Sequence, residues 1–443
     1  MTNSCEIING SEYMERGEIE QLQSARLKEI VHCAYERSPF YKELYDRAGV
    51  APADIAGLAD ITKLPPISKS ELRRDIEEYP VYGRMLAVPE DEIVYAASSS
   101  GTSGLPLISP FTRGDFAEIV RLSRRFFECF GMKRGDRYLH CLNLSLFVAS
   151  PAVLSMQEIG VTTLWGGVLP MDRIRRLLTE LKITAIQTTP SFAWRLGAWL
   201  KENGTDPARE LSVRRVIVAG EPGGSIPPIR RAIEEVWGAS VYEVYGMSEI
   251  MGSLAASCEA RQGLHVAEDS VIVEVLDTET GKPVPDGKRG ELVFTALKKF
   301  GRPMIRYKSG DIASITHERC ACGRTQARIS VAGRRDNDMF IVSGVNVYPS
   351  DIRGVMAAIH GITGNVRLRL RSNGCTDCYV VETERAGGCA EGDGVLAKRV
   401  SDRLKELILA RPKEVVILPA GALSTDEQKT KYIIDERGKT DGA

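Results

Sequence analysis

Ser98-Ser99-Ser100-Gly101-Thr102-Ser103-Gly104 puts five hydroxyl side chains and two glycines into seven consecutive residues. Glycine permits φ > 0 and close backbone approach, so successive N–H groups and Ser/Thr hydroxyls can converge on phosphate oxygens without a side-chain clash. Tyr95-Ala96-Ala97 just before it predicts a strand that feeds the loop. The stretch therefore reads as a nucleotide-phosphate loop. A surface Ser/Gly linker has the same composition, and both readings stand on this segment alone. It is not a Walker A sequence, because Gly104 is followed by Leu105-Pro106 where that motif requires Gly-Lys-Ser/Thr.

On either side of the loop the pattern is that of an α/β enzyme. The chain has 443 residues, more than one hydrophobic core supports, since single cores stop growing near ~250–300 residues. Residues 11–37 carry Leu22, Leu27, Ile30 and Val31 at helical spacing and predict an entry helix. Short apolar runs at 138–142, 183–186 and 213–218 alternate with helical stretches such as Met171 to Leu181, which predicts a parallel sheet covered by helices. From about 260 to 335, alternating runs punctuated by Gly and Pro predict a β-rich subdomain. The expected organisation is α/β: an N-terminal domain over 1–335 and a small α+β domain over 336–443. A formal net charge of −1 leaves no basic excess to displace counterions, so a nucleic acid is not expected as the main partner. No apolar run reaches the ~18 residues of a membrane helix, and the start lacks a signal-peptide pattern. A cytoplasmic protein is expected. Nothing in the residue pattern sets its oligomeric state.

Further segments follow the loop in a fixed order: Ala219-Gly220-Glu221-Pro222, Tyr245-Gly246-Met247-Ser248-Glu249, Tyr307-Lys308-Ser309-Gly310-Asp311, Gly333-Arg334-Arg335-Asp336 and Ser343 to Pro349, then a lysine-bearing tail around Lys429. With Leu22 to Leu27, Pro39 to Lys42 and Leu64 to Lys69, these make nearly the whole chain resemble the adenylate-forming superfamily of acyl-CoA synthetases, adenylation domains and luciferases. Within it, the chain resembles the phenylacetate-CoA ligase family. The resemblance implies a small C-terminal domain that moves between an adenylating and a thioester-forming pose. It also implies an ATP-dependent ligase that activates an aromatic carboxylic acid as acyl-AMP and passes it to coenzyme A. Delivery to a carrier protein or to an amine shares the first half-reaction and remains open, as does a catalytically silent interaction protein.

The resemblance also implies roles. Ser98, Ser99, Ser100, Gly101, Thr102, Ser103 and Gly104 would hold the β- and γ-phosphates of ATP. Glu249 would bind Mg²⁺, a hard cation suited to one or two carboxylates plus phosphate oxygens, and Ser248 would reach the α-phosphate. Tyr245 with Gly246 would lie on the adenine, Ala219, Gly220 and Glu221 would line the base and acid pockets, and Asp311 with Arg334 would take the ribose. Asp336 matches the hinge, and Lys429 the catalytic lysine, with Lys431 its competitor on the same strand face. Phe147, Phe192 and Met251 are candidates for an aromatic acid pocket, although each also reads as plain core. Arg306 is assigned no role. Leu105, where many relatives carry lysine, departs from the family pattern and puts the phosphate affinity in question, and the stretch Asn143 to Ser150, which lacks the family's glycine-rich, tyrosine-containing segment, puts the identity of the acid in question.

Ten cysteines are too sparse for a disulfide scaffold at this length. Cys258, His265, Cys320 and Cys322 make up a three-thiol, one-imidazole set of the kind that binds zinc tetrahedrally. By spacing alone they also read as unliganded residues. The family resemblance, in which some relatives carry a similar arrangement, implies a closed structural Zn²⁺ site. Cys375 and Cys378 lack a second pair nearby and read as reduced thiols.

Overall fold

The computed structural model describes residues 10–98, 107–142, 150–167, 169–221, 223–334, 340–342, 345–347, 349–372, 377–408, 410–423 and 432–436. The entry helix forms as Arg16–Arg37 after a short turn at Gly10–Tyr13. Its buried side includes Gln23 beside Leu27, Ile30 and Val31, while Leu22 is only half-buried. Gln23 tolerates burial because its Nε2 donates to the Glu268 carbonyl at 3.0 Å.

Strands β1 (Ile93–Ser98) and β2 (Ile108–Thr112) pair antiparallel, so the Ser/Gly stretch joins the two arms of a hairpin. The main sheet has eleven strands. It contains β3 (Arg137–His140), β4 (Thr162–Trp165), β5 (Ala185–Thr188), β6 (Arg215–Ala219), β7 (Ser240–Tyr245), β8 (Ala255–Ser257), β9 (Leu264–Val266), β10 (Val271–Leu276), β11 (Gly290–Ala296), β12 (Tyr307–Thr316) and β13 (Arg328–Arg334), in the order β10-β11-β12-β13-β9-β8-β7-β6-β5-β3-β4. Every pair from β4 to β7 is parallel, and every pair from β7 to β10 is antiparallel. The β-rich section is therefore a continuation of the parallel sheet and shares its plane.

Alternation along the parallel strands builds two cores. Tyr138, Ala185 and Ile217 join a cluster with Phe127 and Phe130, whereas Leu139, Ile186 and Val216 join one with Ile174, Leu196 and Trp237. Helix starts are specified locally: Thr189 accepts from the Phe192 N–H with Pro190 in the first turn, and Ser68 and Glu71 form a reciprocal capping box.

Past residue 340 the chain has a core of its own. Strands β14 (Phe340–Val342) and β15 (Val345–Val347) form a hairpin. Strands β16 (Ile362–Ser372), β17 (Asp377–Arg385), β18 (Glu414–Leu418) and β19 (Ile433–Asp435) form a sheet in the order β18-β17-β16-β19. The helices Pro349–Met356 and Asp393–Ile408 contribute Ile352, Val400 and Leu404 to a cluster around Tyr379. This is the α+β unit expected at the C-terminal end.

A buried ion cluster ties the large unit together. Asp269 accepts from Arg125 and from Arg121, each at 2.9 Å, and Arg26 donates to its carbonyl. Burial alone would raise the Asp269 carboxyl, but the two guanidinium groups outweigh it and hold the group well below the usual carboxylate range. A carboxylate depressed in the folded state stabilises the fold above its unfolded pKa, and that contribution is lost as pH falls toward the folded value. Asp269→Asn is therefore expected to destabilise the protein by roughly 3–5 kcal/mol at neutral pH, since it leaves Arg125 buried without its counter-charge. The variant should also lose part of the wild-type decline in stability below about pH 4, which denaturant titration across pH would measure.

Candidate active site

In open α/β sheets, ligands bind outside the carboxyl ends of the parallel strands. Here those ends carry Ala219-Gly220 after β6 and Tyr245-Gly246 after β7. Gly220 adopts φ 86°, in the left-handed region that favours glycine. Gly246 is demanded by packing: a Cβ there would lie 1.2 Å from the Gly252 carbonyl oxygen. That approach folds the turn Met247 to Met251 back on itself and lets β8 return antiparallel, with Ser248 and Glu249 buried in the turn. Tyr245 Oη donates to Asp311 Oδ2 at 2.6 Å, and its ring stacks on Phe294 at 5.9 Å. Two separate motifs thus meet across the sheet. Asp311 lies directly opposite Arg334 in the β12–β13 ladder, which brings in a third.

Glu249 sits among cations. Lys69, at the start of the helix Lys69–Glu78, pairs with its carboxylate at 2.9 Å, and Lys299 donates to its backbone carbonyl at 2.7 Å. Lys299 lies 4.3 Å from the centre of the Phe111 ring, while Arg302 grips the Ile108 carbonyl and the Ser109 hydroxyl, both on β2. Burial, reinforced by neighbouring Arg302, pulls the Lys299 ammonium well below its ordinary value, and burial brings Arg302 down to about 10. Buried positive charge therefore surrounds Glu249 and the outgoing strand of the Ser/Gly hairpin. Lys69 lies in a quoted motif but had no assigned role. Lys299 and Arg302 carry no local sequence signal, since their partners are distant in the chain.

The remaining candidates are distributed as follows. Ser98 is buried at the end of β1, whereas residues 99–104, Phe147, Asp336 and Lys429 lie outside the described residues. Met251 is fully buried in the cluster that includes Phe127, and half-buried Phe192 packs on the opposite cluster with the Arg195 guanidinium 5.2 Å from its ring centre. These two acid-pocket candidates are thus assigned to different cores. Arg306 forms a two-pronged ion pair with Glu274 at 2.8 and 2.9 Å, a structural role. Glu221 turns toward the C-terminal unit, accepting from Ser191 and from Tyr432. Sequence reading also passed over a buried network at the end of β3, where the Tyr138 hydroxyl donates to Gln187 and meets His140 Nδ1 at 2.7 Å. Burial lowers that imidazole to about 4, so it is neutral at physiological pH.

The four candidate metal ligands converge. The ligand atoms of Cys258, His265, Cys320 and Cys322 all lie within 4.8 Å of one another. The Cys258 and Cys320 sulfurs are 3.7 Å apart, and Cys322 Sγ lies 3.5 Å from His265 Nε2. Cys258 follows β8, His265 is on β9, and both other cysteines lie in the β12–β13 connection. Residues 62 apart in the chain thus meet at one corner of the sheet. Burial, with Arg324 and Arg328 nearby, lowers the His265 imidazole to about 4 and keeps it in the neutral form that a metal takes. The donor set and compactness fit a tetrahedral zinc ion.

Comparison with known proteins agrees with this geometry. Residues 18–296 match the family model described as AMP-binding enzyme, and residues 344–437 match that of the AMP-binding enzyme C-terminal domain. A phenylacetate-coenzyme A ligase of Thermus thermophilus is 32% identical, over 96% of this chain and 98% of that protein. One from Pseudomonas putida is 31% identical, over 95% of this chain and 94% of its own length. A crystal structure of 2-hydroxyisobutyryl-CoA ligase, in the postadenylation state with 2-HIB-AMP, superposes with a TM-score of 0.90 at 27% identity, covering 96% of this chain and 91% of that one. The same ligase with 2-HIB-AMP and CoA in the thioesterification state gives 0.72 at 28% identity, over 97% and 92%.

Proposed function

The chain belongs to the AMP-binding enzyme family of adenylate-forming CoA ligases, and we propose that its acid is aromatic: ATP activates an aryl carboxylate as acyl-AMP, and coenzyme A takes the acyl group as a thioester. The observation that carries this reading is similarity to phenylacetate-coenzyme A ligases along essentially the whole chain. Among the described residues no helix is long and apolar enough to cross a membrane. A cytoplasmic setting, in which thiols stay reduced, suits the cysteine cluster.

The first step brings two anions together, a carboxylate and the α-phosphate, so the site must offset their repulsion. Lys69 and Arg302 supply positive charge beside Glu249, and the buried Lys299 amine donates to its backbone carbonyl. The Ser98 to Gly104 loop would hold the departing pyrophosphate by backbone and hydroxyl donors, and Ser248 would reach the α-phosphate. Glu249 offers one hard carboxylate in that surround, the donor set Mg²⁺ takes together with phosphate oxygens. When bound, that ion would neutralise charge on the triphosphate. Asp311 would hold the ribose hydroxyls with Arg334, sharing its carboxylate with the Tyr245 hydroxyl, while the Tyr245 ring and the adjoining Gly246 backbone would face the flat adenine. Lys429, from the tail before β19, would stabilise charge at the α-phosphorus. Asp336 would serve as the hinge that lets the C-terminal unit turn for the thiol step.

Mass spectrometry of the complete reaction over a panel of benzoates, hydroxy- and aminobenzoates and arylacetates is expected to find AMP, pyrophosphate and an aryl-CoA thioester. Accumulation of acyl-AMP without acyl-CoA, across every acid that supports pyrophosphate exchange, would refute coenzyme A as acceptor and point to a carrier protein or amine. Lys429→Ala should depress acyl-AMP formation by at least ~10²-fold, as expected for loss of a preorganised charge-stabilising donor. Thioester formation from supplied acyl-AMP should survive in that variant, which single-turnover assays of each half would check.

The cysteine–histidine cluster supports a structural Zn²⁺ at Cys258, His265, Cys320 and Cys322. Metal analysis of untagged protein should find about one zinc per chain, as a single closed four-ligand site requires. Cys322→Ser should lower the melting temperature while leaving ATP affinity nearly unchanged, because the ion would pin β8, β9 and the β12–β13 connection and take no part in the chemistry.

A further inference from the structure

We propose that Tyr432 and Arg353 form, with Glu221 and Ser191, a latch that holds the C-terminal unit in its present pose and so positions the Lys429-bearing tail for acyl-AMP formation. The inference rests on the two-step reading above. Ser191 and Glu221 belong to the large unit, at the start of the helix Pro190–Glu202 and just past β6. Arg353 and Tyr432 belong to the C-terminal unit, on the helix Pro349–Met356 and immediately before β19.

Three groups close on one carboxylate. Ser191 Oγ donates to Glu221 Oε1 at 3.1 Å, and Tyr432 Oη donates to Oε2 at 3.1 Å. Arg353 Nη2 lies 3.8 Å from Oε2, and its guanidinium stacks 4.3 Å from the centre of the Tyr432 ring. The contact is largely dry: the side chains of Arg353 and Glu221 are 12% and 7% exposed. Burial, offset in part by Arg353, pushes the Tyr432 phenol up to about 12, so it stays a donor at any working pH. A charge-assisted hydrogen bond and an ion pair in such surroundings hold more firmly than their solvent-exposed equivalents.

The latch is coupled to the tail by covalent geometry. The Leu368 N–H donates to the Tyr432 carbonyl at 2.7 Å, and β19 continues from there in parallel register with β16, so the phenol moves with the C-terminal sheet. Lys429 precedes Tyr432 by three residues, a span of at most roughly 11 Å of extended chain. Engaging Tyr432 therefore confines the lysine, and turning the unit toward a thioester-forming pose must separate both donors from Glu221. Tyr432 and Arg353 are positioning residues, acting through the pose they hold. Arg289 and Asp351, 3.1 Å apart, add a second tie between the units at a more exposed place.

The test uses the full-length enzyme and the variants Tyr432→Phe, Arg353→Met and Arg353→Lys. Tyr432→Phe removes only the hydroxyl and should slow single-turnover acyl-AMP formation by about tenfold or more, in line with loss of one hydrogen bond to a charged group. Thioester formation from supplied acyl-AMP and CoA should be unchanged or faster. Arg353→Met should behave alike, and Arg353→Lys should recover most of the loss. Hydrogen–deuterium exchange should quicken in the helix Pro349–Met356 and in β19 of Tyr432→Phe, at unchanged melting temperature. Equal slowing of both half-reactions, or exchange identical to wild type, would overturn the latch. Failure of the wild-type protein to form any acyl-AMP would sink the functional reading instead, and exchange in the same variants would still decide whether the latch exists.

Discussion

At Gly246 the chain passes so close to the Gly252 carbonyl that no side chain could fit between them. This contact lets the last parallel strand turn sharply into β8, and the direction of the sheet reverses there. Ser248 and Glu249 are carried in the turn so formed, and Tyr245 just before it reaches Asp311 on the antiparallel half. As built, the parallel strands and the β-rich section are hydrogen-bonded into one sheet, with the change from parallel to antiparallel pairing at β7 as its seam.

Around that seam the protein concentrates charge that its near-neutral total conceals. Lys69 lies more than two hundred residues from Lys299 and Arg302 in the chain, yet all three bear on Glu249 or on the hairpin strand beside it. Lys299 and Arg302 are fully buried and Lys69 half-buried, and each finds an acceptor: a backbone carbonyl, a serine hydroxyl and a carboxylate in turn. A polyanionic ligand entering there would meet polar groups already oriented, a condition that favours electrostatic stabilisation. The Asp269 cluster has a complementary role, pinning the helix Arg113–Cys129 that backs the same region.

The C-terminal unit has its own hydrophobic cluster, and it meets the large unit through polar contacts at Glu221 and through apolar packing of Ala357 on the cluster around Trp237. The cysteine–histidine cluster lies wholly within the large unit, where it brings the loop after β8 beside the β12–β13 connection.

Much of this was legible in the order of residues. Hydrophobic alternation and Gly/Pro punctuation marked the strands, the spacing of apolar residues marked the entry helix, and the ordered motifs at Tyr245, Asp311 and Arg334 lie on strands that the sheet does bring together. These signals are local, or are carried in short motifs, so no knowledge of long-range packing is needed to read them. The entry helix was foreseen with Leu27, Ile30 and Val31 on its buried side, but Gln23 there was not, because it is accepted inside only by virtue of the distant Glu268 carbonyl. For the same reason spacing alone could not choose between free thiols and a cluster at Cys258, His265, Cys320 and Cys322, nor could it find Lys299, Arg302 or Arg353. Their partners lie tens to hundreds of residues away, and which charges meet is decided only when the strands take their places in the sheet and the C-terminal unit docks on Glu221.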